Sequence, residues 1–407
     1  TDRLLSDLAT SGGHGDIILS ELAGRAARVV EHAAYLSPRY ATLVANPPYM
    51  GSGNMWASLA QFAARHFKTS KYDLFAMFIE RSFGLVRQGG FSALVTMEAW
   101  MTGARYARFR AGTIFKYDLQ SLIHMPYLGK GRTAMGINFG ITAMVLRRSS
   151  GYRTRSVFQC IRHFELDTHG VPVTFPVHNE REAIVSLDSF TSIPGQPIIY
   201  AASREDLAAL SSRPKVGDVL TTREGLTTGD NDRFMRRWFE VSQRRVSLPT
   251  DIDSERFLRR RWYAYVKGGE FRRWYGNIDF VVDWEHDGQR VKSNIDPATK
   301  RIRSHNYNGD FAHLEGLTWS GMSSSKFSAR FVPAGHMFDA KGPMGFAADH
   351  IDLLAVLAVL NSNSTDRFLS MLAPNLDFKL GHVLNLPLPA SVDVRERLAA
   401  VASEAVG

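Results

Sequence analysis

Along the first 150 residues the apolar positions switch between helical spacing and short unbroken runs. Ile17, Ile18, Leu19, Leu22, Val29 and Val30 recur at helical spacing, so residues 17–34 predict one helix leading into a strand at Leu43–Ala45. Met55–Phe67 and Tyr72–Val86 read as two further helices, the second carrying Leu74, Phe75, Phe78, Ile79, Phe83 and Val86 as its apolar set. Gly89-Gly90 is expected to stop that helix, with Phe91–Thr96 following as a buried strand. A helix at Ala104–Ile114 comes next, then strands at Leu119–His124 and Phe139–Leu146 around a loop through Gly129-Lys130-Gly131. This rhythm predicts an α/β fold, the downstream half of a doubly wound, partial Rossmann-like domain.

From about Gly151 the pattern changes to short strands punctuated by Pro172, Pro176, Pro194, Gly195 and Pro197. A domain boundary is therefore expected near 150, with a connecting region over 151–215 that includes a linker near 190–215. Residues 216–407 read as a separate mixed α/β domain, rich in arginine and aromatics, with Trp238, Trp262, Trp274, Trp284 and Trp319 among the bases. It closes on an apolar helix at Ile351–Leu360, the turn Asn361-Ser362-Asn363 and a second helix near Thr365–Leu372. Neither an internal repeat nor a low-complexity tract is present.

Composition narrows the class. With 44% hydrophobic and 22% charged residues in 407, the chain is an ordinary globular protein with room for two or three cores. Its single cysteine, Cys160, excludes an internal disulfide and argues against a thiolate metal site, which fits a reducing cytoplasm. No apolar run approaches the roughly 20 residues of a spanning helix, so no membrane partner is expected. The formal charge of +9 and pI near 9.6 favour a polyanionic partner. From Arg223 to Arg273 there are 13 Lys and Arg against 8 Asp and Glu, which concentrates more than half of that excess in one stretch.

The sharpest chemical signal is Asn46-Pro47-Pro48-Tyr49, directly after the Leu43–Ala45 strand. Two prolines in succession fix φ and donate nothing, so they make a stiff turn with outward-facing carbonyls. The amide oxygen of Asn46 and the carbonyl of Pro47 can both accept from one NH₂ group, while Tyr49 offers a stacking face. The arrangement suits a flat ring bearing an exocyclic amine. The plain alternative is an ordinary strand-to-loop turn, and the apolar strand before it and the aromatic after it weigh against that.

On these residues the chain resembles a γ-type DNA N6-adenine methyltransferase, and within that family the large methyltransferases of BREX phage-defence systems. The matching stretches are Leu43–Tyr49, Lys71–Phe75 with Gly89-Gly90-Phe91, Gly225–Phe234, Lys267–Gly276, and Leu360-Asn361-Ser362 followed by Leu386–Pro389. The resemblance implies transfer of a methyl group from S-adenosylmethionine to an adenine flipped out of double-stranded DNA. Asn46, Pro47, Pro48 and Tyr49 would be catalytic and residues 216–407 would recognise the target; Asp73 and Phe75 would be the cofactor-pocket residues, although Asp73 near the start of its helix reads first as a cap and Phe75 first as core. It also implies host self-marking in phage defence, with other defence proteins as further partners. One feature departs from the family: the glycine-rich cofactor loop normally lies upstream of the turn. Ser11-Gly12-Gly13-His14-Gly15 does not follow a strand and reads as a linker, so the expectation is a C-terminal part of a longer enzyme with its main cofactor loop upstream.

Other residues divide between nucleic-acid contacts and plain structure. Lys130 and Arg132 sit in a glycine loop suited to a phosphate. Thr228, Asn231 and Arg233 follow Gly225, and Lys267, Arg272 and Arg273 mix cation with glycine and Trp274; these and Lys326 are the expected DNA contacts. Arg259-Arg260-Arg261 reads equally as a solvated helix face. Asp283, Glu285 and Asp287 with Lys292 superficially suggest a nuclease, but their loose, turn-like setting argues against one, and no histidine pair has metal-ligand spacing. Two other readings remain open at this point: a DNA-recognition fragment without catalysis, and a methyltransferase for protein glutamine or RNA.

Overall fold

The computed structural model describes residues 17–127, 137–149, 155–247, 249, 252, 259–306, 308–321, 326–373 and 378–407. They fall into two compact units, one holding the described residues through Pro126 and from 137 to Ser189, the other those from Phe190 to Gly407.

In the first unit, α1 (Ile17–Leu36) leads into β1 (Tyr40–Ala45), followed by α2 (Ala57–His66), α3 (Leu74–Leu85), β2 (Val86–Met97), α4 (Ala107–Gly112), β3 (Asp118–Met125), β4 (Ile141–Arg147), β5 (Ser156–Cys160) and β6 (Ala183–Val185). They build one six-stranded sheet in the order β1-β2-β4-β3-β5-β6. β1 and β2 are parallel, joined by a crossover through α2 and α3; β4 is antiparallel to both β2 and β3. Hence β1, β2 and β3 all end at the same edge of the sheet, where ligands of open α/β sheets are bound. Phe75, Ile79, Phe83, Leu94, Trp100, Phe109, Leu119, Leu122, Leu146 and Phe158 fill the core. Each of the larger ones contributes about 1.5–3 kcal/mol by leaving water.

Several expected boundaries move. α3 ends at Leu85, before the glycines, because Val86 turns extended and already pairs with Tyr40. Gly89-Gly90 instead forms an irregularity inside β2: the register passes from Tyr40–Val86 to Thr42–Phe91. Gly89 has φ +77°, and a Cβ on Gly90 would lie 2.8 Å from the Ala41 carbonyl, so backbone approach rather than helix stopping explains the pair. The helix expected over Ala104–Ile114 is broken into 3₁₀ turns on either side of α4. The sheet does not end near 150, since β5 and β6 extend it, and the first compact unit runs to Ser189. Its strands are of mixed direction rather than uniformly parallel.

The second unit opens with α5 (Arg204–Ser212), which occupies the stretch expected to be a linker. Ile193, Ile198, Ile199, Tyr200 and Leu210 are buried there, and Ser203 and Asp206 close a capping box on α5. Arg367 grips Asp206 through Nε at 3.0 Å and Nη2 at 2.7 Å, tying the cap to the helix pair that closes the chain. Short strands follow: β7 (Thr221–Arg223), β8 (Met235–Arg237), β9 (Val246–Ser247), β10 (Trp262–Val266), β11 (Phe280–Asp283), β12 (Gly316–Trp319), β13 (Ala329–Val332), β14 (Met337–Phe338) and β15 (Met344–Phe346). They form two sheets, β14-β10-β11-β8 with β9 beside β10, and β13-β12-β15-β7. α6 (His350–Leu360) is buried on nearly every face, α7 (Asn363–Leu372) follows it, and α8 (Val392–Val406) lies alongside α6.

A buried histidine, His336, and a half-buried one, His313, are expected to make this unit acid-sensitive. Burial pushes the His313 and His336 imidazoles below the ordinary histidine value, so both fold neutral. A depressed folded-state value gives stability that is present above about pH 6.5, the ordinary value, and is lost as pH falls through the folded one. Urea unfolding of the chain is therefore expected to show a lower midpoint at pH 5.5 than at 7.5. Replacing His336, whose Nδ1 lies 2.9 Å from the Pro333 carbonyl, with glutamine should reduce that difference.

Candidate active site and nucleic-acid interface

Ala45, the last residue of β1, pairs with Leu94 of β2, and Asn46-Pro47-Pro48-Tyr49 leaves the sheet at that edge. Pro47 is buried and anchors the turn, whereas Asn46 and Pro48 are exposed and Tyr49 is half-buried. The Tyr49 hydroxyl is 3.1 Å from Oδ1 of Asn46 and 3.4 Å from the Val95 carbonyl. Phe75 and Phe139 meet the Tyr49 ring nearly at right angles, at centroid distances of 6.4 and 5.5 Å. Burial raises the Tyr49 phenol above its ordinary value, so it stays a neutral donor. By donating to Oδ1 it fixes the Asn46 carboxamide while a second lone pair on that oxygen remains for an incoming amine.

Asp73 staples this turn to α3. Its Oδ1 accepts from the Met50 N–H at 3.1 Å and the Phe75 N–H at 3.3 Å, while Leu74 N–H donates to the Met50 carbonyl. Asp73 is thus the N-cap of α3, and Phe75 is fully enclosed in the core beneath Tyr49. Their surroundings give both structural duties, a cap and a core side chain, the readings that the sequence favours over a place in the cofactor pocket.

Desolvation pushes the Asp73 carboxyl above its ordinary value. A raised folded-state value means its contribution is complete below the ordinary carboxylate range and is lost as pH rises through the folded one. Asp73→Asn keeps the cap without the charge and should be at least as stable as wild type near neutrality. Asp73→Ala leaves two N–H groups unmet and should cost about 1–3 kcal/mol in thermal unfolding.

Sequence reasoning missed a buried polar group at the same sheet edge. Glu98, just past the end of β2, meets Nε2 of His124 at 2.6 Å, both being about nine-tenths buried. Glu98 N–H also donates to Gly140 O at 2.9 Å, and a Cβ on Gly140 would collide with the Glu98 carboxylate. Thr96 and Thr142 are 2.9 Å apart and both take the Trp100 indole N–H. The available signal was a lone Glu inside the apolar run Leu94–Met101, with a glycine two residues before Thr142.

The expected nucleic-acid residues separate. Thr228 is 1% exposed and donates to Asn231 Oδ1 at 2.8 Å, so it shapes its own loop rather than meeting DNA. Asn231 and Arg233 are exposed on the short helical turn that Asp230 caps. Arg272 is exposed; Arg273 and Lys326 share Asp366, at 3.3 and 3.5 Å. Lys267 is half-buried, with Nζ 3.8 Å from the Met235 sulfur. Lys130 and Arg132 lie outside the described residues, as do Ser11–Gly15.

Two of the three acids suggestive of a nuclease are absorbed in ion pairs, Asp283 with Arg261 and Arg290 and Asp287 with Lys292. Among the described residues no cluster could hold a metal ion. Arg259-Arg260-Arg261 is not a helix face: Arg260 bonds the Gln243 and Arg244 carbonyls and Arg261 joins the ion pair just named.

Parallel strands ending in an amine-accepting turn define an α/β unit of methyltransferase type, followed here by a β-rich second unit. Comparisons with known proteins agree. Residues 28–129 match the family model for the Eco57I restriction-modification methylase. The chain is 40% identical over 381 residues to the adenine-specific methyltransferase PglX of Lacticaseibacillus casei (strain Zhang), covering 89% of this chain and 31% of that protein. It is 31% identical over 390 residues to the adenine-specific methyltransferase BrxX of Escherichia coli O9:H4 (strain HS), covering 92% and 30%. The chain is therefore similar to these two adenine-specific methyltransferases along most of its own length, and it spans under a third of either.

Two solved structures share the fold. One is the Type IIL restriction-modification enzyme MmeI in complex with DNA, at TM-score 0.55 and 9% identity, covering 89% of this chain and 48% of that one. The other is the Type ISP restriction-modification enzyme LlaGI with a DNA substrate mimic, at TM-score 0.56 and 11% identity, covering 98% and 44%. Among the described residues no helix is long and apolar enough to cross a membrane.

Proposed function

We propose that this chain carries the target-base clamp and the recognition unit of a site-specific DNA adenine N6-methyltransferase serving self-marking in phage defence. The observation that carries this reading is the Asn46–Tyr49 turn, exposed at the common edge of β1 and β2 and braced from beneath by Phe75 and Phe139. Asn46 Oδ1 and the Pro47 carbonyl accept the two amine protons of a flipped adenine, drawing the nitrogen lone pair out of conjugation with the ring. Tyr49 supplies the stacking face and holds Asn46 in place. No strong base is needed to start the reaction, and positioning supplies much of the rate. Resemblance to PglX and BrxX, both called adenine-specific, favours adenine over other amines.

S-adenosylmethionine would supply an electrophilic methyl group. The described residues fit it poorly by themselves: Oδ1 of Asp73 is engaged in the cap and Phe75 is fully buried. β1 is also an edge strand with Val44 78% exposed, and Trp56, Phe62 and Phe78 are exposed in the same unit. That surface favours a second reading, in which this chain alone recognises DNA without catalysing transfer. Calorimetry on the 407-residue chain separates the two. Micromolar binding of S-adenosylmethionine would support a complete site, whereas duplex binding without cofactor binding would support the recognition reading.

A further inference from the structure

Beneath the loop Lys267–Gly276 the second unit contains a buried positive charge with no counter-charge among the described residues. Arg330 of β13 is 0% exposed, and its Nη1 donates to the Arg272 carbonyl at 3.3 Å. Its Nε and Nη2 have no hydrogen-bond partner. Burial, with the nearby charge of Arg272, pulls the guanidinium down to about 10, so it remains protonated at neutral pH. An ionised group is costly to bury unless something pairs with it. Asp366, which meets the same loop at Arg273, is engaged by Arg273 and Lys326.

The loop holds Arg272 in place beside it. Trp274 N–H donates to Ala329 O, and Phe331 N–H to Trp274 O, so the loop is pinned to β13 by a single parallel bridge opposite Arg330. Trp274 and Asn277 both take positive φ around Gly276, a conformation that side-chain-bearing residues adopt only when their surroundings impose it. The Arg272 side chain is exposed and folds back over Gly276, where an added Cβ would meet its Cδ at 3.1 Å and Nη1 at 3.3 Å. One rotamer change frees it without disturbing the backbone.

We propose that Arg272 and Arg330 form a two-guanidinium seat for one phosphate of the DNA backbone, Arg272 as the outer contact and Arg330 as the inner charge completed by the anion. The choice of DNA rests on the function proposed above; the anion seat itself rests on the unpaired Arg330 donors. Guanidinium forks match phosphate oxygens in geometry as well as charge, and in this chain Arg272 lies in the stretch that holds more than half of the basic excess.

The test uses the full 407-residue chain as wild type, Arg272→Ala and Arg330→Met. Binding to a non-specific duplex is measured against salt concentration, and thermal unfolding with inorganic phosphate is compared with chloride at equal ionic strength. Each variant is expected to flatten the slope of log K against log salt by about one. Phosphate should raise the wild-type melting temperature and leave that of Arg272→Ala unmoved. Arg330→Met, which removes an uncompensated buried charge, should melt no lower than wild type when phosphate is absent.

Wild-type slopes in the variants that fold, with an equal phosphate response in wild type and Arg272→Ala, would overturn the seat. Should Arg330→Met fail to fold, Arg272→Ala decides alone. If the wild type binds no duplex, the DNA reading fails, and the phosphate response still decides whether the seat exists. A phosphate response that is lost in Arg272→Ala while the salt slope of duplex binding stays at its wild-type value would reassign the seat to a free anion and overturn its DNA assignment.

Discussion

Asn46→Ala, made in the intact gene product, is expected to lower methyl transfer to DNA by about a hundred- to a thousand-fold, the range seen when one positioned acceptor or donor is removed from a transition state. Duplex affinity should stay within about twofold, because phosphate contacts dominate affinity and Asn46 makes none. The defect should lie in kcat rather than KM, since the lost hydrogen bond matters most while the amine lone pair is leaving conjugation. Tyr49→Phe should be milder: the stacking ring and its contacts with Phe75 and Phe139 remain, and only the hydroxyl that restrains Asn46 is lost. Transfer of a radiolabelled methyl group measures the first quantity and filter binding the second. A fall in affinity matching the fall in turnover would mean that Asn46 organises DNA binding instead.

The largest stability effect is expected at Gly225→Ala. A Cβ there would overlap the Phe338 carbonyl oxygen and lie 2.6 Å from its carbon, both backbone atoms that cannot swing aside. The following residue is bound on every side: Leu226 N–H donates to Phe338 O at 2.8 Å, and its carbonyl accepts from Ala340 N–H and the Tyr265 hydroxyl. Tyr265 also reaches Asp339 at 2.8 Å inside the core formed by Leu226, Phe234, Val282 and Met337. Backbone displacement would break several of these bonds, so the cost should reach about 3 kcal/mol or more. At roughly 2–4 °C per kcal/mol, that lowers the melting temperature by about 6–12 °C. A fall of less than about 2 °C would show that the loop yields more readily than its bonding implies.

How much was legible follows from where the physics is local. The clamp could be read because proline fixes its own backbone and Asn46 is exposed at a strand end; both facts depend on residues side by side. α3 and α6 were readable from spacing, and Asp73 as a cap from its position. The continuation of the first sheet was not, because β6 is three residues long and pairs with β5 from more than twenty residues away. Thr228 resembled a DNA contact because a hydroxyl between glycines looks available, and only the fold shows that Asn231 takes it. Glu98–His124 and Arg330 were invisible for the opposite reason. Burial of a charged side chain is a tertiary fact, and a sequence read alone assigns such residues to the surface.

The central claim is that the Asn46–Tyr49 turn holds the amine of adenine in duplex DNA. Mass spectrometry of nucleosides from DNA treated with the intact gene product and S-adenosylmethionine tests it most directly. N6-methyldeoxyadenosine should appear with wild type and fall to background with Asn46→Ala. N4-methyldeoxycytidine in its place, or methyl groups found only in RNA or protein, would contradict the account.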